Sequence, residues 1–436
     1  MKRMRKAAAF SLALALLTAG CGVQTLPPTN VTSSSATLRA QVQCSVNANG
    51  AVWWELRASG GTWKAAGDKS IYACGHSNRS ISLSKTVTGL KAGTAYQYRL
   101  VADPNPKGGF VVYSGASRMA TAAAPGAGTF TPGLVASGAD ASAIKWLGAD
   151  VVRVEFDIGT PVSQMRQSIG AITGAGARPL LLAGFQGRMP SVAEAQNLAS
   201  WAAEFGPGGR FWAGRSDGGL AVHQIEFGNE TSYGYQYGDG YGDSSYASRA
   251  ELYATRFAQA HSAIAMTNRS VGLLAQADDG GSGSANWVNH MFDAVPNLGT
   301  MVDGWTVHPY GPRDRWQPKI NRLIMQTSAR GASSRIPIDV TEWGISTDNG
   351  ASLSDNYGWP VNTTYTQAAS ALHDSVAAMR LDPAIGPRLR LFIIYAAHDL
   401  GTPRSSGDRE RYFGVLQANL AEKGVYTAEV RQLFAR

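Results

Sequence analysis

Cysteine and histidine are scarce in this chain: three of the first and seven of the second in 436 residues. The histidines are scattered, with no H-x-H and no H-E-x-x-H string, so the clustered donors that metal hydrolases place on barrels are not supplied. No metal and no other cofactor is expected. A nucleophile elbow of the strand, G-x-S-x-G, helix kind is not expected either. No Gly-rich phosphate loop follows the first strand of the C-terminal region, which disfavours a doubly wound nucleotide-binding sheet. No Lys/Arg stripe with interleaved aromatics is present, so a nucleic-acid partner is not expected. The formal charge of +8 falls to +4 once the four basic residues at the extreme N-terminus are set aside.

Those residues, Lys2, Arg3, Arg5 and Lys6, precede an apolar run from Ala7 to Leu17 and then Thr18-Ala19-Gly20-Cys21. A basic head, an apolar stretch too short to span a bilayer and small residues at its end read as an export signal over residues 1–20. The end resembles a bacterial lipobox, with Thr18 standing where the family usually has Leu. The resemblance implies that Cys21 is lipidated, which makes the product a cell-surface lipoprotein; ordinary secretion is the alternative. With Cys21 so used, Cys44 and Cys74 are left to pair as a disulfide in an oxidising exterior. Contact with a membrane is expected only through that lipid.

Residues 21–30 read as a short polar, Pro-containing tether. From 31 to 122 the chain alternates in short runs such as ATLRAQVQC, AVWWELRA and TAYQYRLVA, separated by turn residues and without helical period. That pattern predicts an all-β sandwich. The segment Thr88-Gly89-Leu90-Lys91-Ala92-Gly93-Thr94-Ala95-Tyr96 resembles bacterial fibronectin type III domains. The resemblance implies that Leu90 enters the core and that Tyr96 forms a tyrosine corner, its hydroxyl returning to upstream backbone. Residues 123–129, AAPGAGT, read as a linker.

Beyond the linker the periodicity changes. Strands are expected near 131–136, 150–156, 178–184, 222–229, 270–276, 302–308, 336–342 and 390–396. Helical stretches lie between them, at 161–175, 191–205, 246–267, 285–295 and 364–379. Eight strands alternating with helices over about 300 residues is the count of a (β/α)8 barrel, here residues 130–436. On a barrel, function sits at the C-terminal ends of the strands. Two runs, VHQIEFGNE ending in Glu230 and IPIDVTEWG carrying Glu342, are apolar strands that finish in a carboxylate. Alternation puts Gln224, Glu226 and Glu230 on one face and Asn229 on the other.

Asn229-Glu230 ending the fourth barrel strand and Glu342 ending the seventh resemble the clan of retaining (β/α)8 glycoside hydrolases (clan GH-A) that includes cellulase-, mannanase- and β-xylosidase-like families. The resemblance implies that Glu230 is the acid/base, Glu342 the nucleophile and Asn229 a ligand of the sugar 2-hydroxyl. Arg153 in VVRVEF would steady the nucleophile, with Glu226 a plausible buried partner for it. His308 would lie near the sugar or nucleophile, and the Tyr310 hydroxyl within reach of the nucleophile's carboxylate. Trp343 is a further candidate sugar contact. Retention needs two carboxyls roughly 5 to 5.5 Å apart, one protonated and one ionised.

An extracellular enzyme, acting as a monomer on a β-linked glycan, is therefore expected; a surface protein that binds glycans without cleaving them is the alternative. The chain departs from the clan at the eighth strand, LFIIYAAHDL, which carries no Trp; Tyr395 or His398 is the candidate substitute. The Tyr-rich loop after Glu230 either stacks sugars or packs on its own rings. Residues 413–434 read as the closing helix of the barrel.

Overall fold

The computed structural model describes residues 22–29, 31, 35–44, 49–58, 61–73, 79–91, 94–103, 111–120, 129–237, 246–277, 286–351, 356–400 and 409–435. The chain forms two compact units, Met1–Ala124 and Pro125–Arg436. The export signal, Cys21 and Cys74 lie outside the described residues, and with Cys74 the expected disulfide.

The first unit is all β. Strands β1 (Val23–Thr29), β2 (Ser35–Cys44), β3 (Asn49–Ala58), β4 (Lys64–Ala65), β5 (Ser70–Ala73), β6 (Arg79–Thr88), β7 (Ala95–Asp103), β8 (Val112–Tyr113) and β9 (Ser117–Ala120) make two sheets. One has the order β1-β2-β6; the other runs β4-β3-β7-β8, with β5 also on β3 and β9 also on β7. Alternate residues of both sheets, including Leu38, Val42, Trp54, Tyr98 and Leu100, form one apolar core. Leu90 joins that core, and the Tyr96 hydroxyl accepts a hydrogen bond from the Lys91 amide at 2.9 Å. The tether is corrected: residues 23–29 are an edge strand antiparallel to β2. Pro27-Pro28, which suggested a tether, lack amide donors and are tolerated because β1 is at an edge, where the register slips between Leu26 and Thr29.

The second unit is a closed barrel of eight parallel strands in chain order. These are β10 (Thr131–Val135), β11 (Val151–Asp157), β12 (Arg178–Gly184), β13 (Gln224–Phe227), β14 (Gly272–Gln276), β15 (Gly304–Val307), β16 (Ile338–Trp343) and β17 (Leu389–Ile394). Helices α1 (Ala141–Leu147), α2 (Val162–Gly174), α3 (Val192–Phe205), α4 (Tyr246–Thr267), α5 (Trp287–Ala294), α6 (Arg313–Ala329), α7 (Tyr365–Leu381) and α8 (Val425–Phe434) alternate with them. The strands read as near-continuous apolar runs because helices cover their outer face and other strands fill the inner one. Outward residues such as Val152, Leu181, Ile225, Trp305 and Phe392 pack on the helices.

Two helices escaped the sequence pattern. α1 is short, and α6 carries Pro318 in its interior, which reads as a breaker; Trp316, Ile320, Leu323 and Thr327 nevertheless bury one face of it. The closing helix is shorter than expected: residues 425–434 are helical, whereas 413–416 run alongside 396–399 in extended form.

Inside the barrel the side chains change character with height. Val151, Leu180, Leu274, Leu391 and Ile393 form a dry lower layer. Two residues further along, the same inward register presents Arg153 on β11 and Glu226 on β13, both buried. This step from apolar to charged along one face positions the site.

Candidate active site

Arg153 is the hub. Its Nε donates to Glu226 Oε2 at 2.6 Å, Nη1 to Glu342 Oε1 at 2.7 Å and Nη2 to Asn229 Oδ1 at 2.8 Å. One guanidinium thus spans β11, β13 and β16, using the fixed fork of donors that only Arg has. It is buried, and burial disfavours its charge; Glu226 and Glu342 more than offset this and hold it firmly protonated.

Glu342 receives a second hydrogen bond, from the Tyr310 hydroxyl to Oε2 at 2.7 Å. Burial pushes its carboxyl up, but the His308 and Arg153 charges and the two donors pull harder, so the net position is below the ordinary carboxylate range. Tyr310 moves the other way: burial and the neighbouring Glu342 push its phenol well up, keeping it a proton donor.

His308, just past β15, faces Glu230 through Nδ1 (3.0 Å to Oε1) and Thr341 through Nε2 (3.2 Å to Oγ1). Thr341 donates its own hydroxyl proton to Glu226 Oε1 at 2.8 Å. The Nε2 of His308 is therefore the donor to Thr341, and Nδ1 shares a proton with Glu230. One oxygen each of Glu230 and Glu342 and one ring nitrogen of His308 all lie within 4.8 Å of one another. Such a trio has the donor types of a metal site. Here, however, both Glu342 oxygens already accept from Arg153 and Tyr310, and the adjacent guanidinium opposes a further cation.

Strict alternation fails at two positions, and both serve the site. At β16 the register with β17 shifts between Val340 and Trp343; this irregularity turns the consecutive residues Thr341 and Glu342 both inward. Past β13, Gly228 has φ of 81°. A Cβ there would lie 2.4 Å from Thr231 Cγ2 and 2.8 Å from Phe185 Cζ, so glycine is required on both counts. Glu230 follows with φ of 45°. The turn brings Asn229 and Glu230 to the same mouth, correcting the expectation that Asn229 faces away.

The group lines a cavity of about 430 Å³ together with Glu155, Gln236, Tyr357, Tyr395, Arg409 and Glu410. Arg153, Asn229, Glu230, Tyr310, Glu342 and Tyr395 line it, with His308 behind Glu230. Trp343 is corrected: it is fully buried on the helix side, its ring centroid 5.9 Å from that of Phe392. Of the two substitutes for the missing Trp, Tyr395 reaches the cavity, while His398 is held by Asp140 at 2.9 Å. In the Tyr-rich loop, Tyr246 packs on Trp287, Gln236 lines the cavity, and residues 238–245 lie outside the described residues.

Tyr357, Arg409 and Glu410 were not foreseen. They sit on irregular segments where no period marks which face a residue takes. Tyr357 stacks on Tyr310 with centroids 4.9 Å apart, and Arg409 lies 3.9 Å over the Tyr357 ring.

A larger groove, about 720 Å³, marks the β unit, but among its described lining residues are the cations Arg57, Lys64 and Lys85 and no carboxylate or histidine. One G-x-S-x-G string does occur, GRSDG at Gly214–Gly218. It lies in the turn between α3 and β13, where Arg215 and Asp217 form an ion pair, and follows no strand.

No protein-family model matches the chain, and no curated protein matches it by sequence. Among solved structures it is similar to a Bacteroides uniformis β-glucuronidase 2, with 12% identity and a TM-score of 0.47, over 94% of this chain and 50% of that one. A family 39 glycoside hydrolase from Bacteroides cellulosilyticus gives 14% and 0.46, over 94% and 81%. A Bifidobacterium dentium β-glucuronidase gives 14% and 0.42, over 96% and 66%. The chain spans about half the length of the first of these.

Proposed function

We propose that the barrel unit is a glycoside hydrolase that cleaves β-glycosidic bonds with retention of configuration. The observation that carries this reading is the Glu230–Glu342 pair, whose nearest oxygens are within 4.8 Å. That separation suits direct attack by one carboxylate on the anomeric carbon while the other protonates the leaving oxygen, and leaves little room for the intervening water that inversion requires.

In the first step Glu342 attacks the anomeric carbon, and the bond to the leaving oxygen breaks as Glu230 delivers its proton there. In the second, Glu230 takes a proton from water, the water oxygen bonds to the anomeric carbon, and Glu342 departs. Arg153 and Tyr310 fix Glu342 and favour its ionised form. His308, hydrogen-bonded to Glu230 through Nδ1, holds that carboxyl in place while it gives up its proton in the first step and takes one in the second.

The test is turnover of a panel of aryl β-glycosides by the protein and by Glu342→Ala, with a mechanism-based fluoro-sugar as a covalent probe. Loss of all turnover in the variant and labelling at Glu342 are expected. A protein that binds glycans but never labels, and is indifferent to the substitution, would instead be the non-catalytic binder.

For the β unit, the Lys91–Tyr96 hydrogen bond supports the fibronectin type III resemblance. We propose that it acts as a spacer, and that the chain is exported and held at the cell surface through Cys21.

A further inference from the structure

Two carboxyls of the cavity take no part in the proposed bond cleavage, Glu155 and Glu410. Glu410 is matched: its Oε1 lies 3.3 Å from Arg409 Nε. Glu155 is not. It occupies the inward register of β11, two residues beyond Arg153, and makes no hydrogen bond or ion pair with any described residue. Its carboxyl lies over Gly184 at the end of β12, where a Cβ would fall 2.3 Å from Glu155 Oε1. Glycine at 184 therefore gives this acid its place. Glu155 lines the cavity and is open to solvent, so water serves its oxygens until hydroxyls of a bound molecule replace it.

The charges around it are unevenly matched. Glu155, Glu230, Glu342 and Glu410 face the cavity against the guanidiniums of Arg153 and Arg409. Arg153 is committed to Glu226 and Glu342, and Arg409 is balanced by Glu410. Among the described lining residues both guanidiniums already have a carboxylate partner, so a sugar bearing its own carboxylate would bring another negative charge beside four carboxyls, and like charges repel.

Resting on the glycosidase reading, we propose that Glu155 sets the specificity of this cavity: it accepts hydrogen bonds from the hydroxyls of an uncharged glycone and turns away uronic acids. Partial desolvation above all pushes its carboxyl above the ordinary range, with Arg153 pulling the other way.

The experiment compares kcat/KM on aryl β-hexosides and β-xylosides with that on the matching β-uronides, for the full chain and for Glu155→Gln, which keeps the shape and removes the charge. The protein is expected to favour the neutral sugars. The variant is expected to lose about ten-fold or more on them, mainly through KM, while its uronide-to-neutral ratio rises by about ten-fold or more. A wild-type preference for uronides, or a ratio that does not move in Glu155→Gln, overturns the proposal. If no glycoside is cleaved, the hydrolase reading fails by itself. Calorimetric binding of glucose, galactose and xylose against glucuronic and galacturonic acid then decides for Glu155: the neutral sugars must bind more tightly, and the variant must lose that preference.

Discussion

The Nδ1 of His308 lies 3.0 Å from Oε1 of Glu230, and because Nε2 donates to Thr341 the pair holds one proton between them. Burial alone would lower the imidazole, but the charge of Glu342 and the hydrogen bond to Glu230 raise it to about 9. The alkaline limb of the activity profile is therefore expected near that pH. His308→Asn should move it to lower pH and cut kcat by about 10². Stability follows the same proton. A His raised on folding stabilises fully below its unfolded value of about 6.5 and loses that contribution as pH rises towards 9. Urea midpoints at pH 6 and pH 9.5 should differ more for the native chain than for His308→Asn.

Glu342 governs the acid side. Its lowered pKa keeps it ionised as pH falls below the usual carboxylate range, so activity is expected to persist there. The limb appears where the folded carboxyl finally takes up its proton. Tyr310→Phe removes the donor to Oε2; the acid limb should rise and kcat fall by about 10²-fold. Arg153→Lys should do more, because a single ammonium cannot serve Glu226, Glu342 and Asn229 together. It leaves buried acid without its fork, at a cost of about 3–5 kcal/mol in unfolding free energy. Kinetics across pH 3 to 7 and denaturant titration check both.

Much of this was legible because strands repeat every two residues. Val151 and Arg153 share the inward face of β11, Gln224 and Glu226 that of β13, and both pairs follow from alternation once the apolar runs are read as barrel strands. The terminal acids also stood out, as charges at the ends of dry strands. What alternation misplaced lies where the backbone leaves it: Asn229 beyond the left-handed Gly228, and Trp343 beyond the register shift of β16. β1 was hidden by Pro27-Pro28 and α6 by Pro318, where edge position or packing outweighs local propensity. Tyr357, Arg409 and Glu410 come from loops whose course only the assembled barrel determines.

Gly228 offers a test of the turn that aims the acid/base. At φ of 81° an added Cβ is strained, and it would also press on Thr231 and Phe185. Gly228→Ala is expected to cost about 1–3 kcal/mol in stability. Its effect on kcat should be larger than on folding, since a shift of about 1 Å at Glu230 misplaces the proton it delivers. A variant that melts lower but keeps full kcat would show that the turn is not what orients Glu230.

Lys423 tests how the cavity's outer wall is held. It is fully buried, and its ammonium reaches Asp399 Oδ1 at 2.7 Å, Thr347 O at 2.9 Å and Tyr412 O at 2.9 Å. It thereby ties the segment carrying Arg409 and Glu410 to the ends of β16 and β17. Lys423→Met removes one partner and leaves Asp399 buried with its charge unmatched, so a loss of about 3–5 kcal/mol is expected. Adding Asp399→Asn should return a good part of it, because an amide oxygen still accepts from the Gly414 amide, 2.9 Å away, without carrying a charge. If denaturant midpoints show the double variant no better than Lys423→Met alone, the interaction is not the ion pair, and the two backbone carbonyls are what Lys423 secures.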